Sequence, residues 1–150
     1  MATMAYASGK AGATERVVRR RIPLAVLAAL ALGLAANVVL YLIGRATGPF
    51  KEPIILSNGQ ELALLAVIAM TTFPTILAAI VYAIVGLIGR IKRPVTLFRI
   101  VSLGILLLSF LSPFSIAGAS FGLILLLELM HVAVAAAVVW ALTTLAGERG

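Results

Sequence analysis

The chain has 150 residues, 63% of them hydrophobic and 11% charged, with a formal net charge of +7 and a mean hydropathy of +1.18. A domain of this size leaves much of its surface exposed, so the mixture excludes an ordinary soluble fold and makes the lipid bilayer the first expected partner. The absence of cysteine removes disulfides, thiolate metal sites and cysteine nucleophiles, and the basic residues flank apolar runs instead of lining a nucleic-acid surface.

Residues 1–21 are small, polar and basic, with Lys10, Arg16, Arg19, Arg20 and Arg21 opposed by Glu15. They are expected to form a mobile basic cytoplasmic tail, either lying on anionic headgroups or serving only as a topogenic cluster. Residues 22–44 carry no charge and, at about 1.5 Å per residue, suffice to cross a hydrocarbon core of about 30 Å. The run exceeds the roughly 7 to 15 apolar residues of a signal peptide, and Pro23 suits a first helical turn. Gly48-Pro49, Glu52-Pro53 and Asn58-Gly59 then mark a loop. Within it Ile54, Ile55 and Leu56 are placed to rest at the interface or cap the bundle, and Ser57 with Gln60, or Asn58 with Glu61, has capping-box spacing.

A second helix is predicted over 61–88, long enough to tilt, with a kink at Pro74. Pro74 removes the hydrogen bond to the Met70 carbonyl, and Thr71, Thr72 and Thr75 offer nearby hydroxyls. Arg90, Lys92, Arg93 and Arg99 crowd the next junction. Helices over 96–112 and 120–145 follow, separated by Ser112-Pro113-Phe114-Ser115 and a short uncharged connection, and 146–150 form a second cytoplasmic tail. The fold class is therefore all-α: a polytopic membrane protein whose four-helix transmembrane domain spans 22–145.

Four crossings put both termini on one side. With that side cytoplasmic, ten Lys and Arg lie inside (five in the first tail, four between helices 2 and 3, and Arg149) and Arg45 and Lys51 lie outside. The positive-inside rule then assigns cytoplasmic termini, with Arg19, Arg20, Arg21, Arg90, Lys92, Arg93 and Arg99 as topogenic residues. No internal repeat supports an inverted-repeat transporter. Small residues spaced by four form packing stripes: Ala25, Ala29, Gly33, Asn37 and Tyr41 on helix 1, Thr71, Thr75, Ala79 and Ala83 on helix 2, and Ala133, Ala137 and Ala141 on helix 4. They read as seams of one bundle, with a homo-oligomer or a larger membrane complex as the alternative use of a stripe.

The chemical clue is Glu128 with His131, an embedded carboxylate three residues from the sole histidine. Such groups at depth face a bundle interior, pair, or mark an ion or proton path. Depth matching brings Asn37, Tyr41, Ser109, Thr71 and Thr72 to the same half of the membrane, so a buried polar cluster centred on Glu128 and His131 is expected. Glu-x-x-His is also half of a di-iron ligand set, but the chain has no Asp, no second His and no other acid at membrane depth. Haem or metal between two copies through paired His131 remains the outlying metal alternative. No nucleophile with a base and an orienting partner can be assembled, so neither an enzyme nor a cofactor is expected.

The strings LLLSFLSPFSIAGAS and LLLELMHVAVAAAVVWAL, and more loosely helix 2 with the IGRIKRP loop, resemble a family of small bacterial four-helix membrane proteins catalogued as a domain of unknown function. The likeness covers about two thirds of the chain. It lies in the Ser and Pro113 exit from helix 3 and in Met130-His131 followed by small and β-branched residues. It implies a four-crossing integral membrane protein and supplies no activity; His131 matches the family pattern, whereas Glu128 has no clear counterpart. The function read from the sequence is a structural or accessory membrane subunit held by the polar cluster. The alternatives are a small proton- or ion-coupled transporter and a binder of a lipid, quinone or other apolar ligand.

Overall fold

The computed structural model describes residues 14–149 apart from 52, 56–58, 60 and 117. Lys10 and both capping-box pairs therefore fall wholly or partly outside the described residues. The helices are α1 (Ile22–Thr47), α2 (Leu64–Leu87), α3 (Pro94–Ser109) and α4 (Phe121–Leu145); among the described residues four helical spans are long and apolar enough to cross a membrane, the third reaching that length only as Pro94–Ser115, with the 3-10 turn that follows α3. They form the four-helix bundle of a multi-pass membrane protein.

Local chemistry sets the ends of each helix. Pro23 sits in the first turn of α1, and Gly48 at its far end adopts φ 111°, a left-handed conformation that terminates the helix. Directly before it the Phe50 ring packs over Gly44, where a Cβ would collide with the ring. Helix α2 starts at Leu64, later than the sequence suggests. Leu62 instead donates its N–H to the Ile54 carbonyl at 2.8 Å, and Ile55 bridges Glu61, so the preceding residues close a hairpin-like cap. Pro94 fills the first turn of α3, and a single 3-10 turn at Pro113–Ser115 follows its end. Ser120 caps α4, its Oγ accepting from the Leu123 N–H at 3.2 Å.

Helix α1 packs most extensively against α4. The buried residues Ala25, Ala29, Gly33 and Asn37 run down one line of α1; small side chains there let the backbones approach where lipid supplies no hydrophobic drive between helices. Two apolar clusters fill the bundle. The one nearer the strands includes Ala25, Ala29, Tyr82, Phe98 and Leu142; the one toward the opposite end includes Phe50, Leu62, Val67, Leu123 and Met130. A polar layer of Asn37, Thr71 and Thr75 is also buried. Helix α3 behaves differently, because its buried residues Pro94, Val95 and Phe98 all lie near its start. Its outer part stands off from the core.

The tails depart from the sequence reading. Residues 15–17 are a strand, β1 (Glu15–Val17), paired antiparallel with β2 (Gly147–Arg149) in the register Glu15↔Arg149, Arg16↔Glu148 and Val17↔Gly147. Val17 drives this order. It presses on Gly86 of α2, where a Cβ would come within 2.6 Å of the Val17 Cβ. Beside it the Val18 N–H reaches the Ala146 carbonyl at 2.8 Å. The pairing places both described chain ends at one end of the bundle.

Candidate functional site

Asn37 of α1 and Thr71 of α2 meet inside the bundle. The Asn37 Nδ2 donates to Thr71 Oγ1 at 2.8 Å, and Thr71 Oγ1 donates in turn to the Val67 carbonyl at 2.8 Å. Thr75 repeats the pattern on the Thr71 carbonyl at 2.7 Å. Threonines inside a helix turn back on the carbonyl one turn earlier. These two hydroxyls therefore serve Val67 and Thr71 and not the Met70 carbonyl that Pro74 leaves without its usual donor, and α2 is helical on both sides of Pro74.

His131 and Glu128 share a flank of α4 but are not joined. The His131 Nδ1 lies 2.7 Å from the Leu127 carbonyl, one turn back on its own helix. Both Glu128 carboxylate oxygens are buried without a hydrogen-bond partner among the described residues, as is Asn37 Oδ1. Tyr41 packs its ring against Phe50 with centroids 5.8 Å apart, Ser109 Oγ donates to its own Leu106 carbonyl at 2.7 Å, and Thr72 makes no hydrogen bond among the described residues. The expected single cluster is thus not assembled among the described residues. Thr71, Ser109 and His131 each bond a carbonyl of their own helix, and of these expected cluster residues only Asn37 with Thr71 are joined between helices.

What the structure does assemble is a cavity. A space of about 420 Å³ lies between α2, α3 and α4, bounded at one point by Asn37 of α1. It exists because α3 has no buried residue beyond Phe98. Met70, Leu77, Val101 and Ile105 line it and are also exposed on the bundle surface, so it opens sideways between α2 and α3. Its wall is apolar apart from Asn37, Ser102, Ser109 and His131. Volume and character fall within the range of small-molecule sites, which are mostly apolar with a few placed polar groups.

Two polar contacts at the end of the bundle that carries the strands escaped the sequence reading. Thr96, in the first turn of α3, donates its N–H to Glu15 Oε2 at 2.7 Å and its hydroxyl to Glu15 Oε1 at 2.6 Å. Arg99 Nη2 and Nε reach Thr143 Oγ1 at 2.9 and 3.3 Å, so Arg99 is more than a topogenic charge. The other basic residues assigned that role, Arg19, Arg20, Arg21, Arg90, Lys92 and Arg93, are exposed at this end, and Arg21 pairs with Glu148 at 3.0 Å. A signal for the Glu15 contact was present. Helix α3 begins with Pro94 and is preceded by Arg93, which offers no capping oxygen, so its free N–H groups needed an acceptor from elsewhere.

No group of three or more His, Cys, Asp or Glu gathers as a metal site among the described residues. Residues 15–148 match the model of a family of unknown function, DUF6069. The chain belongs to that family. Among curated proteins and among solved structures, none matches this DUF6069 chain.

Proposed function

We propose that this DUF6069 member resides in a bacterial cell membrane with both termini cytoplasmic and holds an apolar molecule, taken laterally from the bilayer, in the cavity between α2, α3 and α4. The observation that carries the reading is that cavity of about 420 Å³, apolar on nearly every side and open toward lipid between two helices. The ends of the bundle support lateral entry over a path through the protein. Phe50, Ile54 and Leu62 pack together at one end, and the β1–β2 ribbon lies at the other. The lysine and arginine bias supports the orientation, with a transmembrane domain over 22–145 between a basic tail over 1–21 and a short tail over 146–150.

In this reading the polar groups divide their work. Asn37 and Thr71 fix α1 to α2, while His131 and Ser102 are the polar points a ligand meets. The test is to purify the protein in mild detergent and identify by mass spectrometry any lipid-like molecule released on denaturation. Ala135 lines the cavity, and Ala135→Phe fills part of it. Wild type is expected to release a stoichiometric amphiphile that Ala135→Phe loses. Equal release from both proteins overturns the cavity as the site.

A further inference from the structure

Resting on that reading, we infer that the ligand is an amphiphile with a hydroxyl head, an alkyl-substituted alcohol or phenol, and not an acceptor-only ketone, ether or ester. The direction of the existing hydrogen bonds carries this. A peptide carbonyl can only accept, so the His131 Nδ1 that lies 2.7 Å from the Leu127 carbonyl holds the ring proton. In the uncharged imidazole Nε2 is then a bare acceptor, and it has no hydrogen-bond partner among the described residues.

A backbone carbonyl without its usual helical donor belongs to a residue of the same lining. Met70 and Pro74 both line the cavity, and Pro74 has no N–H to give the Met70 carbonyl. The packing puts these groups at one level. Gly33 of α1 faces Val134 and Ala137 of α4 as well as the Thr71 methyl. One helical turn outward on α1, Asn37 bonds Thr71, the neighbour of Met70. Three residues outward on α4, about 4.5 Å from Val134, stands His131.

Ser102 of α3 also lines the cavity, and its hydroxyl makes no hydrogen bond among the described residues, so it can turn either way. A ligand hydroxyl uses the whole set. It donates to His131 Nε2 or the Met70 carbonyl, accepts from Ser102, and leaves its hydrocarbon against Leu77, Val101 and Val138. An ether or ketone accepts from Ser102 but brings no donor for His131 Nε2 or the Met70 carbonyl. Sites built to meet a hydroxyl discriminate strongly against analogues that lack it.

The experiment compares para-nonylphenol with its methyl ether as ligands of the full chain in lipid nanodiscs, using wild type and His131→Phe. The phenol is expected to bind wild type at least about tenfold more tightly, the factor that about 1.4 kcal/mol provides, and His131→Phe is expected to lose that preference. Because His131 is the one histidine, ¹⁵N-histidine labelling gives a readout in wild type that does not depend on how the variant folds. The Nε2 resonance is expected to move on adding the phenol and not on adding the ether. Equal binding of the two probes, or an Nε2 resonance that ignores the phenol, overturns the hydroxyl-head inference while the cavity stands. Binding of neither probe overturns the cavity reading and this inference together.

Discussion

Asn37 and Thr71 are joined side chain to side chain at 2.8 Å inside the bundle. Interhelical hydrogen bonds in lipid average about 0.6 kcal/mol and reach about 1.7 kcal/mol, because the separated helices also find partners. A double-mutant cycle with Asn37→Leu and Thr71→Val, read by reversible unfolding in mixed micelles, is expected to return a coupling energy in that span. Additive effects would show that the contact contributes nothing. Glu128 points the other way. Its carboxylate oxygens are buried and unpartnered among the described residues, and burying a polar group without a partner costs about 1 to 3 kcal/mol by mutational data. Glu128→Leu is therefore expected to leave stability unchanged or raise it by about 1 kcal/mol or more. A clear loss in the same unfolding assay would mean that the carboxyl group has a stabilising role.

At the scale of elements, the four apolar runs were legible because a bilayer-crossing helix announces itself by length and hydropathy alone. The α1 stripe was legible too, since Ala25, Ala29, Gly33 and Asn37 repeat every four residues and all four are buried. The β1–β2 ribbon was not. Glu15–Val17 and Gly147–Arg149 are three residues each, too short for alternation to register, and they lie far apart in the chain. Their order comes from Val17 seated on Gly86 and from Glu15 held by Thr96, contacts that only the closed bundle creates. Gly86→Ala puts a methyl 2.6 Å from the Val17 Cβ. It is expected to dislodge β1, seen as faster amide exchange over residues 15–18 with α1 and α4 still protected. Unchanged exchange there would show that Val17 does not hold the strand.

For the whole molecule, residue spacing and depth led to an expected polar cluster around Glu128 and His131 that is not assembled among the described residues. Glu128 and His131 are three apart and share a flank, but the Leu127 carbonyl takes His131 Nδ1 at 2.7 Å. Spacing brings side chains within reach and cannot say which neighbour wins. The cavity was illegible for a related reason. It depends on α3 having no buried residue beyond Phe98, and the hydropathy of the α3 span, only slightly below that of the other three, gives no sign of it. A bundle with an apolar cavity bordered by exposed residues of α2 and α3 is suited to holding a molecule from the bilayer. Native mass spectrometry of the full chain titrated with para-nonylphenol tests this most directly. A saturable mass increment of one ligand per chain in wild type, absent in Ala135→Phe of equal thermal stability, is the expected result. Indistinguishable, non-saturating uptake by the two proteins would contradict it.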